Sequence, residues 1–135
     1  MPYAWDDPTS ATLRTLSDDS SVVVPLGFSF PFYGTNYSDV YVGSNGLLSF
    51  GAGVTAYSNV GIPSPAAPNS FAAGWWDDLN PGVGGSVRTQ TLGTAPERRF
   101  VASWVDVPIY GVGGTAITFQ MVLEEATGAI STRYL

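Results

Sequence analysis

Glycine and proline recur along this chain at intervals that suit strands and turns better than helices. The 135 residues include 16 glycines and 10 prolines, and charged residues make up only 12% of the chain. Glycine and proline punctuate secondary structure, and an amphipathic helix needs a charged face that this composition hardly supplies. The chain therefore favours short strands joined by many turns.

The segments between the turns show the period of two that strands require. Phe28, Phe30 and Phe32 alternate with other residues, which predicts three rings on the core face of one strand. Pro31 cannot donate a ladder hydrogen bond, so this strand should lie at a sheet edge or end there. In residues 116–125, the alternation predicts a central antiparallel strand with a core face and a wetter face.

Asn45 and Gly46 predict a tight hairpin. They separate two β-prone runs, residues 39–43 and 47–50. Asn-Gly between such runs is the strongest short-range hairpin signal, because both residues tolerate positive φ.

The remaining segments complete a predicted all-β fold. Residues 51–70 carry three prolines and little periodicity, which predicts a long ordered surface loop. Further short strands are predicted at residues 12–16, 72–77, 86–92, 99–107 and 129–135. About nine short strands predict an antiparallel two-sheet β-sandwich that forms a single domain over residues 1–135.

The charge balance argues against nucleic acid and membrane partners. The formal net charge is −6, and all five basic residues are arginine. A phosphate backbone is bound through clustered cations, so we expect no nucleic-acid binding. No run approaches the roughly 18 apolar residues of a spanning helix, so we expect no membrane insertion. The N-terminus also lacks a signal-peptide pattern, which fits either a fragment of a secreted protein or a virion protein.

The residue types present exclude most familiar catalytic mechanisms. The chain has no cysteine, histidine or lysine, which excludes catalytic triads, Schiff-base lysines and the common zinc sites. Carboxylate chemistry of the glycosidase kind needs two acids facing each other across a bond. Asp77 and Asp78 are adjacent and would point to opposite faces of a strand, so we expect no enzyme.

Asp77, Asp78 and Asn80 have two interpretations. Joined by Asp18 and Asp19, they could supply the oxygen ligands of a Ca²⁺ site. Alternatively, these residue types stabilise turns through side-chain to backbone hydrogen bonds. The spacing of a calcium-binding EF-hand loop is absent, which favours the turn interpretation and predicts no cofactor.

The loop aromatics are the other candidate binding residues. Trp75 and Trp76 would project to opposite faces if extended, so one can enter the interior while the other lies outside or beneath residues 51–70. With Tyr57 and Tyr110, they could form a platform for a glycan or a protein. The alternative is that these rings anchor loops and close the ends of the sandwich.

Five motifs in a fixed order resemble a known family. The motifs lie at residues 27–34, 42–51, 75–81, 98–104 and 118–123. With these motifs, the sequence resembles the nidogen-like extracellular module of animal matrix proteins, which is also repeated in secreted bacterial multidomain proteins. The resemblance implies an extracellular β-sandwich used for adhesion or interaction, with no catalytic residues. Bacterial members continue with another strand, so we expect an open sheet edge near residues 129–135, through which the chain could self-associate.

Three functions are compatible with these observations. The leading hypothesis is a non-catalytic extracellular adhesion or interaction module of a secreted or surface protein, which presents a surface to a protein or a glycan. The first alternative is a structural protein of a virion surface, including a decoration protein. The second alternative is a carbohydrate-binding module that uses the loop aromatics.

Overall fold

The computed structural model describes residues 4–135 and shows two antiparallel sheets. The strands are β1 (Thr12–Arg14), β2 (Ser21–Phe32), β3 (Thr35–Gly43), β4 (Leu47–Ser49), β5 (Phe71–Ala73), β6 (Ser86–Leu92), β7 (Arg99–Pro108), β8 (Ala116–Glu124) and β9 (Ile130–Tyr134). One sheet has the order β1-β6-β7-β8-β9 and the other β2-β3-β4-β5. The predicted all-β sandwich with about nine strands is confirmed. Among the described residues, no helix is long and apolar enough to cross a membrane.

The core lies between the two sheets and is rich in aromatic rings. Phe28 and Phe30 are buried and Phe32 packs against the same cluster, so the predicted core stripe is confirmed. Trp104 and Phe119, from the facing sheet, stack with ring centroids 4.7 Å apart. Each such ring contributes about 1.5–3 kcal/mol by leaving water. The strand that carries the phenylalanine stripe, β2, lies at a sheet edge, as Pro31 predicted.

The largest differences from the predicted strand boundaries are at β3 and β5. β3 begins at Thr35 rather than at residue 39, because Tyr33 and Gly34 both have positive φ and form a two-residue turn. β5 is limited to Phe71–Ala73, because the backbone of Gly74 and Trp75 donates to the carbonyl of Gly46 and turns away from the sheet. Trp75 and Trp76 therefore lie in a turn.

The predicted wetter face of β8 is wrong, because an N-terminal segment covers it. Gln120 and Val122 are both fully buried. Residues 4–11, here called the strap, cross the outer face of the five-stranded sheet. The side chain of Gln120 donates to the carbonyl of Asp6 and accepts from its N–H, at 2.5 and 3.2 Å. The alternation within β8 does not show that the strap lies over its outer face.

Three arginine contacts fasten the strap. The carboxylate of Asp6 accepts from Arg99 Nε at 3.0 Å and from Arg133 at 2.7 Å. Arg88 donates to the carbonyl of Ala11 at 3.1 Å, just before β1 begins. The strap thus crosses the sheet from β9 to the edge strand β1.

Residues 51–70 cover part of the other sheet, as expected of an ordered loop. Val54 packs with Leu47 and Trp76 in a second, smaller apolar cluster. The indole N–H of Trp76 donates to the carbonyl of Ala56 at 2.9 Å. Both sheets therefore carry ordered chain on part of their outer surface.

Candidate binding surface at one end of the sandwich

Asn45 joins the loops at one end of the sandwich. Its side chain is fully buried in the β3–β4 hairpin. The amide oxygen accepts from Leu79 N–H at 2.9 Å, and the amide nitrogen donates to Asp19 at 2.8 Å and to Thr55 O at 3.1 Å. One hairpin residue therefore fixes the β1–β2 loop, residues 51–70 and the loop after β5. The hairpin itself is confirmed, with a positive φ at Gly46.

Three carboxylates converge where these loops meet. Oxygens of Asp18, Asp19 and Asp78 lie within 4.8 Å of one another, and these three residues form the acidic cluster. Oδ1 of Asp78 is buried and has no hydrogen-bond partner among residues 4–135. Burial raises the pKa of Asp78, and the negative charges of Asp19, Asp18 and Asp77 raise it further. The cluster therefore holds like charges together at a cost in stability.

Asp77 and Asn80, the other two residues of the predicted oxygen-ligand set, make local hydrogen bonds. Asp77 accepts a hydrogen bond from the N–H of Asp78 at 2.9 Å. The side chain of Asn80 accepts from the N–H of Gly82 at 3.0 Å. Both contacts are turn contacts of the kind expected of Asp and Asn in loops. Asp78 lies with Asp18 and Asp19, two residues before β2 that the sequence analysis had joined to the same set.

An apolar groove lies beside the acidic cluster. It has a volume of about 580 Å³ and is lined by Val83, Pro108, Ile109, Gly111, Val112, Gly113, Gly114, Thr115 and Ala116. Val83 is 74% exposed and Val112 is 50% exposed. Sequence reasoning missed these two valines, because they stand among glycines in turns that show no period. The only available signal was an apolar residue in a loop with no strand partner.

The predicted aromatic residues do not form one platform. Trp75 is exposed, and its ring lies 6.4 Å from that of Tyr134. Trp76 lies beneath residues 51–70 and packs edge-on against Phe71. The sequence predicted one tryptophan in the interior and the other outside or beneath this loop. Neither ring joins the core cluster between the two sheets, because Trp76 packs in the smaller cluster beneath residues 51–70 and Trp75 is exposed. Tyr57 and Tyr110 are both exposed in loops.

A second groove lies at the β2–β3 turn. It has a volume of about 320 Å³, and its lining includes Phe32, Tyr33, Ile62, Asn69 and Phe71. Tyr33 is 95% exposed. No charged side chain lines this groove.

Comparison with known proteins gives one family and a set of relatives. A family model described as NIDO related matches residues 2–135. Alpha-tectorin of Mus musculus is 28% identical over 142 residues, covering 88% of this chain and 6% of that protein. Alpha-tectorin of Homo sapiens is 27% identical over 142 residues, with the same coverage of 88% and 6%. The chain thus spans only a small part of these relatives. No solved structure matches the chain.

Proposed function

Because the chain belongs to the NIDO-related family, we propose that it is a non-catalytic module that works outside the cell by binding another molecule. The observation that carries this proposal is the family match over residues 2–135 together with the alpha-tectorin relatives. The nidogen-like resemblance implies an extracellular place and an adhesive role. Neither comparison favours the virion alternative.

The chemistry of the chain supports a binding role over a catalytic one. With no histidine, cysteine or lysine, the sequence lacks the usual nucleophile and base pairs. The three carboxylates of the acidic cluster gather at one point, whereas a glycosidase needs two acids placed on either side of the sugar ring. The end of the sandwich instead presents charge and exposed apolar side chains, as interaction surfaces do.

A direct test measures binding to extracellular matrix. The fluorescently labelled domain is incubated with a matrix preparation from cultured cells, with unlabelled domain as competitor. We expect saturable binding that the competitor displaces. An unrelated β-sandwich protein of similar size and net charge is the control. Binding no better than that of the control would contradict the proposal, as would multiple-turnover hydrolysis of matrix polysaccharide.

Glycan binding is a second candidate function, and one observation favours it. The uncharged groove beside Tyr33 combines an exposed ring with the side chain of Asn69, the mixture of apolar and polar groups typical of small-ligand sites. A glycan array tests it, with Tyr33→Ala as the variant and Tyr57→Ala as the matched loop control. Glycan signals that survive Tyr33→Ala would remove this groove as the binding site.

A further inference from the structure

We infer that the acidic end of the sandwich docks a protein segment that places an arginine or lysine next to an apolar side chain. This inference rests on the proposed function and names the chemistry of the partner. The docking surface consists of the acidic cluster and the adjoining apolar groove.

The acidic cluster lacks an internal counter-ion among the described residues. All five arginines of the chain make contacts elsewhere. Arg98 pairs with Glu125, and Arg99 and Arg133 pair with Asp6. Arg14 donates to the Thr89 hydroxyl and Arg88 to the carbonyl of Ala11. The charge that complements the cluster therefore has to come from another molecule.

The geometry of the cluster suits a cationic side chain. Carboxylate oxygens of Asp18, Asp19 and Asp78 lie within 4.8 Å of one another, so one cation can contact more than one of them. A guanidinium group carries five N–H donors in a planar fork that matches carboxylate oxygens. Oδ1 of Asp78 is already removed from water without a donor, so accepting a hydrogen bond there adds little desolvation cost.

The apolar groove supplies the second half of the surface. Two of its lining residues, Val83 and Val112, are 74% and 50% exposed, and Tyr110, next to them in the chain, is 58% exposed. Among the described residues, no charged side chain lines the groove. Apolar side chains that gather on the surface in this way mark interaction sites, because covering them removes apolar area from water.

The two halves are held side by side by backbone contacts. Tyr110 N–H donates to the carbonyl of Asp78 at 2.7 Å, and Asn80 N–H donates to the carbonyl of Pro108 at 2.9 Å. Leu79 and Ile109 form a β-bridge in the same place. A short segment can therefore reach both halves at once. A metal ion bound to the carboxylates would leave the apolar groove exposed to water. The presence of the groove beside the acidic cluster therefore favours a protein segment as the partner.

The experiment uses two dipeptides that differ in one charge. The ¹⁵N-labelled domain is titrated with N-acetyl-Arg-Trp-amide and with N-acetyl-Glu-Trp-amide, and amide shifts are followed by NMR. We expect the arginine peptide to move the amides of residues 18–19, 78–83 and 109–116 saturably. It should bind at least about fivefold tighter than the glutamate peptide, and added salt should weaken it.

Variants separate the two halves. Asp18→Asn and Val83→Ser change exposed side chains, so both should fold, and each should weaken binding of the arginine peptide. Glu97→Gln removes one negative charge in the β6–β7 turn, at the other end of β6 and β7, and should leave binding unchanged.

Four results would overturn the inference. The first three are equal affinity for the two dipeptides, the absence of shifts at the docking surface, and equal loss of binding in Glu97→Gln and Asp18→Asn. The fourth is a set of shifts confined to the acidic cluster and reproduced by CaCl₂ alone, which would favour an ion site. If the inference fails, the matrix-binding experiment remains a separate test of the proposed function, because the domain could bind matrix through another surface.

Discussion

Gly46 shows how a single position sets the geometry of the hairpin. Its φ is +79°, and a side chain there would overlap the backbone carbonyl of Trp75. That carbonyl belongs to the turn that ends β5, so the hairpin and the turn are in direct contact. Asn-Gly in the sequence indicated the turn, whereas the close approach depends on residues about 30 positions away.

We predict that Gly46→Ala lowers the free energy of unfolding by at least about 2 kcal/mol, because left-handed strain and overlap add. Gly34→Ala is the matched control. Its φ is +82° and nothing lies within 4 Å of the added carbon, so only the strain term of about 1–2 kcal/mol applies. Urea unfolding measures both variants. Equal losses of unfolding free energy in the two variants would show that the close approach of Gly46 to the Trp75 carbonyl does not affect stability.

We expect the carboxylate of Asp78, in the acidic cluster, to lower the stability of the fold at neutral pH. Since the folded-state pKa of Asp78 is raised, its contribution to stability is complete below the unfolded pKa and is lost as pH rises through the folded pKa. Asp78→Asn should therefore raise stability at pH 7 by about 0.3–1 kcal/mol, the size of an exposed charge pair. The gain should shrink in acid. A lower melting temperature for the variant at pH 7 would contradict the assignment.

Calcium gives a separate test at this position. We expect neither EDTA nor CaCl₂ to change the melting temperature of the wild-type protein, because Asp77 and Asn80 act as turn residues. A fall with EDTA that CaCl₂ restores would show that the acidic cluster holds an ion.

Among the elements, the strap was the least predictable from sequence. Nothing in the polar residues 4–11 shows that they cover Gln120, because the contacts join positions more than 100 residues apart. The strands themselves carry a local signal in their alternation, and they were found with their largest boundary errors at β3 and β5. The acidic cluster lies between these cases, since its three residues belonged to the predicted set of five but only the fold shows that these three carboxylates meet.

We predict that Asp6→Asn costs about 1.5–3 kcal/mol at pH 7, because it removes the charged acceptor of Arg99 and Arg133. The hydrogen bond from Arg99 holds the pKa of Asp6 below its usual range, against the opposing effect of burial. The Asp6 contribution is therefore present above the unfolded pKa and is lost as pH falls through the folded pKa.

Thermal unfolding between neutral and acidic pH checks this prediction. The difference between wild type and Asp6→Asn should vanish in acid. Asp7→Asn is the control, because the Asp7 carboxylate accepts hydrogen bonds from Thr9 within the strap rather than from an arginine and should matter less. A smaller effect for Asp6→Asn than for Asp7→Asn would mean that the strap is not fastened by the arginines.

The edge strand β9 carries the predicted site of strand addition. Thr132 of β9 lies opposite Met121 of β8. The N–H of Leu135 donates to the carbonyl of Thr118 in β8, and the N–H groups of successive residues in a strand point alternately toward and away from the neighbouring strand. Thr132 therefore directs its N–H away from β8. If β9 mediates self-association, Thr132→Pro should reduce it without breaking the β8 ladder. Light scattering over a concentration series decides, and a wild-type monomer at every concentration would contradict the prediction.

In the folded domain, the ends of the sandwich are the surfaces best placed for binding. The strap covers much of the outer face of one sheet, and residues 51–70 cover β4 and the adjoining Trp76 on the other. The acidic cluster and the apolar groove lie together at one end, on loops that Asn45 and the Leu79–Ile109 bridge hold in place. Rigid loops on a β-scaffold are a common way to present a binding surface.

Hydrogen exchange of the domain bound to the extracellular matrix preparation shows directly whether the acidic end of the sandwich is the binding surface. After saturable binding, the amides of residues 77–85 and 109–115 should exchange more slowly than in the free domain. The amides of β7 and β8 should be unchanged, because they are already protected in the sheet. Protection on the exposed face of β2 and β3, with unchanged exchange in both loops, would contradict the claim that the acidic end carries the function.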